Sequence, residues 1–251
     1  MKKSSKVLPV VICTAVIVAI VAIIGLSTVK FDAGHGDDVN SDGSYVDVDY
    51  DSAILIYNSS KLIEADENNG QIADHVRGKA DSKVIVVEYA DLQCPGCAAM
   101  MPSMHKLYEK YADKVAFVFR NFPIESHKNA RTSAAAAESA GFQGYYWEMM
   151  ESLYANRADW LSKEGSELTE AFVDIFKGIA PEGNVEKFRT EMKRGAIQNK
   201  LDFDYNLGRQ VDGVTYTPAI FVNGKMIDAS AAEKISDYIN LVEEEIIQAL
   251  K

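Results

Sequence analysis

The junction near residue 90 restricts the fold of this chain more than any other feature. The run KVIVVEY at residues 83–89 is short, apolar and β-branched, and suits a strand buried on both faces. Shortly after it, Cys94-Pro95-Gly96-Cys97 opens the segment 94–113, where Met101, Met104, Leu107 and Tyr111 recur at helical spacing. KVAFVFRNF at 114–122 reads as a second buried strand. The order strand, helix, strand predicts a β-α-β unit with both cysteines at the start of the helix.

After Pro123 the chain changes character. The stretches 129–157, 168–180 and 184–208 are helix-forming and separated by Gly or Pro-Glu-Gly breaks. TPAIFVNGKMID at 217–228 then reads as a hairpin of two short strands joined through Asn223-Gly224. A last helix over about 231–250 places Ile235, Tyr238, Ile239, Val242 and Ile246 on one face, as packing on the sheet requires.

The other end is of a different kind. Three lysines lie within residues 1–6, and residues 7–29 carry no charge over 23 positions rich in Val and Ile. At about 1.5 Å per residue this run reaches roughly 35 Å, enough for a hydrocarbon core of about 30 Å. It is read as a transmembrane anchor or uncleaved signal over 1–30, with the lysines cytoplasmic and everything after Lys30 outside. A cleaved secretory signal is the competing reading, with Gly25-Leu26-Ser27 as its cleavage site. Residues 31–70 are expected to be an acidic, flexible tether, since 31–52 hold seven Asp and no Lys or Arg. Within it, DVNSDGSYVDVD at 38–49 has the ligand spacing of an EF-hand calcium loop, although position twelve is Asp49 and no helix leads in. A solvated linker is the plainer account. The net charge of −11, from 37 acidic against 26 basic residues, argues against nucleic acid as a partner.

Cys13 falls inside the apolar run, which leaves Cys94 and Cys97 as the only cysteines beyond it. A four-cysteine zinc site therefore lacks its second pair, and His35, His75, His105 and His127 show no close pairing. Two inert core thiols are the bland alternative. Position favours a redox-active dithiol. Pro95 suits the first helical position, and the free N–H groups of a helix start favour a thiolate on Cys94. A helix end contributes roughly 0.3–2 kcal/mol, so further activation has to come from elsewhere.

Taken together, Cys-x-x-Cys after a buried strand, Pro102 within the helix and the late Thr217-Pro218 before a strand resemble the thioredoxin fold. The long helical block resembles the DsbA-like thiol-disulfide oxidoreductases, and the tethered form resembles their BdbD-type branch. The resemblance implies an α/β class: a thioredoxin fold over 71–250 with a helical insertion at about 126–208, preceded by the N-terminal transmembrane helix. It makes Cys94 the nucleophile, Cys97 the resolving thiol, Pro218 the cis-proline against the pair, and Thr217 a backbone partner for substrate. Glu88 takes the place of the family's buried acid that relays a proton for the second cysteine; a solvated strand-end glutamate is the alternative. The Pro95-Gly96 dipeptide lacks the histidine of the best-known oxidase. Phe142, Tyr145, Tyr146, Trp147 and Tyr154 fit either helix packing or a peptide-binding surface, and Asp91 reads as a turn residue.

The function so implied is donation of the Cys94-Cys97 disulfide to unfolded secreted or cell-surface proteins with free cysteines. No organic cofactor and no metal are called for, a monomer is expected, and the resemblance adds a quinone-linked membrane partner that reoxidises the pair. Two other readings use the same residues: a membrane-tethered reductase or isomerase, and a binding or chaperone module without turnover.

Overall fold

Strands buried on both faces need partners on both sides, and the sheet supplies them. A computed structural model describes residues 54–251 of the chain. Strand β1 is Val76–Gly78, β2 is Ile85–Ala90 and β3 is Ala116–Asn121. Strands β4 (Ala219–Val222) and β5 (Lys225–Met226) form the expected hairpin. The order across the sheet is β1-β3-β2-β4-β5, with β2 and β3 parallel and every other pairing antiparallel. The β4–β5 turn has positive φ at both Asn223 (49°) and Gly224 (80°), the conformation that an Asn-Gly pair adopts most readily.

Helix α1 (Pro95–Lys110) crosses between β2 and β3 and buries Cys97, Met100, Met101, Met104, Leu107 and Tyr108 in one stripe. Alternation along the strands sorts the sheet into two faces. Val86 and Ala90 of β2, Phe117 and Phe119 of β3, and Ile220 and Val222 of β4 join the α1 side, which is the larger core. Val87, Tyr89, Val118 and Phe221 face the other way. Glu88 has the parity of Val86 and Ala90, which sets its carboxyl beneath α1; its register neighbours are Phe119 and Ile220.

The helical insertion comprises α2 (Ala130–Gly141), α3 (Tyr146–Ala155), the short α4 (Arg157–Trp160), α5 (Gly165–Ile179), α6 (Val185–Glu191) and α7 (Gly195–Asn206), after which a π turn spans Leu207–Val211. The final helix α8 (Ile235–Ala249) packs through Tyr238, Ile239, Val242 and Ile246. Ile235, expected on that face, is 38% exposed because it is the helix's first residue and precedes the point where the helix meets the sheet. The aromatic set resolves toward packing: Tyr146 and Tyr154 are buried, and Tyr145 and Trp147 lie against the same core.

The stretch 31–70 corrects one expectation. Residues 54–70 are part of the packed domain, with Ile54 and Ile63 buried against Phe203 and Leu207. Polar anchors explain how so acidic a segment is held. Buried Arg120 donates to the Lys61 carbonyl at 3.0 Å and pairs with Asp74 at 2.8 Å, and the Asp74 carboxylate also accepts from the Ile63 N–H at 2.9 Å. Arg120 projects from β3 on the face away from α1, where Leu62 and Val76 also pack. The expectations for residues 1–53, namely the span and the 38–49 loop, lie outside the described residues. Among the described residues no helix is long and apolar enough to cross a membrane.

Candidate active site

The strand-to-helix junction is fixed from several sides. The Asp91 carbonyl accepts from the Cys94 N–H at 2.9 Å and from the Tyr154 hydroxyl at 3.2 Å. Its carboxylate caps the turn through the Gln93 N–H (2.7 Å) and reaches the Ile124 N–H and His127 Nδ1 (both 2.8 Å). Arg157 donates to the Gln93 carbonyl at 2.9 Å through Nε, and the Gln93 side chain accepts from the Asn129 N–H at 2.6 Å. Asp91 is thus a turn residue, and also the point where the insertion braces the cysteine loop. The Asp-x-Gln spacing is a signal for the turn; nothing local in the sequence points to His127 or Arg157.

Both cysteines are free thiols. Cys94 is the N-cap of α1, with Pro95 following at the first helical position. It is less open than a surface junction implies, with 7% of its area exposed, while Pro95 and Gly96 beside it are exposed. The Thr217-Pro218 bond is cis, and Pro218 lies against the motif: a Cβ placed on Gly96 would stand 3.6 Å from Pro218 Cδ and 3.7 Å from Cys94 Sγ. A Cβ at position 96 would thus be in ordinary contact with both the sulfur and the proline. The Cys94 thiol points to the Thr217 carbonyl at 3.7 Å.

The two thiols are driven apart in acidity. Cys94 is lowered to about 5, first by the hydrogen bond from the Cys97 thiol and, against the opposing effect of burial, by Thr217 and the N–H groups of Cys97 and Gly96. The Thr217 hydroxyl is buried and has no other partner among the described residues, which leaves it to the sulfur once this is charged. Cys97 is pushed well above the usual thiol range by burial and by its donation to Cys94, with the charge of Glu88 adding to this. Glu88 is 3% exposed and raised to about 7 by burial, while a hydrogen bond from the Tyr108 hydroxyl at 3.1 Å pulls the other way. Sequence reasoning misses Tyr108, since 20 residues separate it from its partner.

All five residues singled out in the sequence therefore meet at one place: Cys94 and Cys97 at the helix start, Glu88 beneath it, and Thr217 and Pro218 across from it. The chemistry open to this arrangement is thiol-disulfide exchange. One thiolate is available near the surface, a second thiol is held protonated behind it, and a carboxyl that titrates near neutrality lies on the buried side. Among the described residues no group of three or more His, Cys, Asp or Glu side chains is placed to hold a metal ion.

Known proteins resemble this chain in sequence or in fold. The chain is 33% identical over 155 residues to Na(+)/H(+) antiporter NhaA 1 of Salinispora arenicola, which is 61% of this chain but 22% of that protein. The chain thus spans less than a quarter of the length of that relative. Among solved structures it is similar to oxidised BdbD from Bacillus subtilis, with a TM-score of 0.59 and 22% identity, covering 77% of this chain and 99% of that one. It is also similar to the thiol-disulfide exchange protein alpha-DsbA2 from Wolbachia pipientis, with a TM-score of 0.56 and 21% identity over 70% of this chain and 86% of that one. These likenesses establish a DsbA-like fold. The thioredoxin family model matches residues 71–241, most of the chain, and it is to the thioredoxin family that this chain belongs.

Proposed function

We propose that this thioredoxin-family thiol-disulfide oxidoreductase works as an oxidase outside the cytosol, donating the Cys94-Cys97 disulfide to secreted or cell-surface proteins. The observation that carries the direction is the acidity of Cys94, lowered to about 5. A stabilised thiolate stabilises the reduced protein, so the disulfide form gives up its oxidising equivalents more readily. A thiol that ionises about two pH units below neutrality favours its thiolate at pH 7 by up to about 2.7 kcal/mol, or about 60 mV for this two-electron couple.

A substrate thiolate first attacks Cys94 Sγ of the disulfide, the Cys94–Cys97 bond breaks, and Cys97 leaves as a thiolate that takes the Glu88 proton. A second substrate thiolate then attacks the substrate sulfur of the mixed disulfide. Cys94 leaves as the stabilised thiolate, the substrate carries a new disulfide, and the enzyme holds two reduced cysteines. In this reading Thr217 pairs with the substrate backbone as an added edge strand, and Pro218 holds the substrate against Cys94. The uncharged run at 7–29 supports a cell-membrane location with the catalytic domain outside, where disulfides persist. Reoxidation falls to a quinone-linked membrane partner. The similarity of fold to a thiol-disulfide exchange protein agrees with the reading.

The test is the equilibrium of the dithiol with glutathione. A potential near about −120 mV supports the oxidase, and one near about −270 mV makes the protein a reductase instead. Cys94→Ser abolishes disulfide transfer if the protein is an enzyme; retained function in that variant would identify a binding module.

A further inference from the structure

Tyr108 closes the apolar stripe of α1, and its ring is boxed in. Phe117 of β3 meets it edge-on with centroids 5.0 Å apart, Trp147 of α3 does the same at 5.3 Å, and the Arg77 guanidinium of β1 sits 5.1 Å from the ring centre. Arg77 is itself held by an ion pair with Glu151. A ring packed on three sides has one place for its hydroxyl, and that place is Glu88 Oε2.

The other groups around Glu88 leave it little else to bind. Phe119 and Ile220, its neighbours on β3 and β4, are apolar. From α1 comes Cys97, whose thiol feels the charge of Glu88. Tyr154 of α3 gives its hydroxyl to the Asp91 carbonyl, and Tyr238 of α8 gives its own to the Ile227 carbonyl while accepting from the Ile220 N–H. Among the described residues Glu88 has no ion-pair partner. A donor favours a carboxylate more than a neutral carboxyl, so a single neutral hydroxyl offsets part of the burial that holds Glu88 protonated.

We infer that Tyr108 is a positioning residue for the exchange reaction: its hydroxyl, locked by the surrounding rings and Arg77, sets how readily Glu88 releases the proton it trades with Cys97. The inference rests on reading Glu88 as the proton carrier for Cys97. Tyr108 touches neither thiol and acts only through the carboxyl.

Two measurements on the full chain test it. The first follows the Glu88 side-chain carbon of the reduced protein by 13C NMR across pH. The midpoint near 7 is expected to rise by about one unit in Tyr108→Phe, which keeps the ring and removes only the hydroxyl. A single difluorotyrosine at 108, a stronger donor, moves the midpoint down and serves equally if the phenylalanine variant does not fold. The second measures the rate at which Cys97 resolves a Cys94–glutathione mixed disulfide between pH 5 and 9. Its pH-dependent limb moves up with the NMR midpoint in Tyr108→Phe. A slower reaction with the limb unmoved shows a packing role only and overturns the inference. Glu88→Gln separates the two levels of the reading. If it abolishes the limb while Tyr108→Phe leaves it in place, the Tyr108 inference alone fails; if it leaves the limb intact, the role of Glu88 fails as well.

Discussion

The Cys94 thiol points at the Thr217 carbonyl 3.7 Å away, across 123 residues of chain. This contact joins the start of α1 to the cis-proline loop, so the two ends of the motif act on one sulfur.

The Cys97 thiol is the largest single cause of the acidity of Cys94. Thiolate absorbance of the Cys97→Ala variant should therefore show Cys94 titrating at least about one unit above its native midpoint near 5. An unmoved midpoint would assign the effect to the helix start alone.

Thr217 supplies a buried hydroxyl that helps lower the Cys94 thiol. Thr217→Val keeps the shape and removes the donor, and is expected to raise the Cys94 midpoint by about half a unit to one unit. Its potential should fall by about 15–30 mV, read from equilibrium with glutathione. A potential equal to the native one would exclude the hydroxyl from redox tuning.

Reduced and oxidised protein should differ in how stability depends on pH. The Cys94 value is depressed from 9.0 to about 5 on folding, so its contribution to the reduced state is complete above 9 and lost as pH falls through 5. Denaturant unfolding should find this contribution at up to about 2.7 kcal/mol at pH 7, reduced by whatever solvent screens at the sulfur, and near zero at pH 4, in the reduced protein only. Equal pH dependence in the two redox states would contradict it.

Glu88 works in the opposite sense. Its value rises from 4.5 to about 7 on folding, so the native state is favoured below 4.5 and loses that advantage progressively until the pH passes 7. Glu88→Gln should be more stable than the native protein at pH 8, by up to about 3 kcal/mol, and of similar stability at pH 4. The same variant should resolve mixed disulfides at least about tenfold more slowly. Slower exchange with greater stability would mark a group retained for chemistry; a loss of both would mark a packing residue.

Asp74 joins the segment that begins at Ile54 to the sheet. Asp74→Ala leaves Arg120 buried without its partner and should reduce stability by about 3–5 kcal/mol. Limited proteolysis should then cut within residues 54–74 before the remainder unfolds.

What can be read from the sequence is whatever its local pattern encodes. The β-branched runs mark β2 and β3, Asn223-Gly224 marks the hairpin, and Glu88, Cys94, Cys97, Thr217 and Pro218 each lie in a short recognisable context. Strand β1 escapes notice because Val76-Arg77-Gly78 has no apolar alternation and owes its extension to pairing with β3. Residues 54–70 look solvated because their anchors are single isoleucines and polar groups reaching Arg120 and Asp212. Tyr108 reads as core, which it is; that its hydroxyl meets Glu88 depends on how α1 lies over β2, and spacing along the chain carries no record of that.

The placement of residues 54–74 on Arg120, behind the sheet, separates two trades within one small domain. The front, with its thiols and carboxyl, answers to redox chemistry, while the rear receives the preceding chain. Of the groups that set the chemistry at Cys94, none is used to secure residues 61–74, which are held by Arg120 and Asp74.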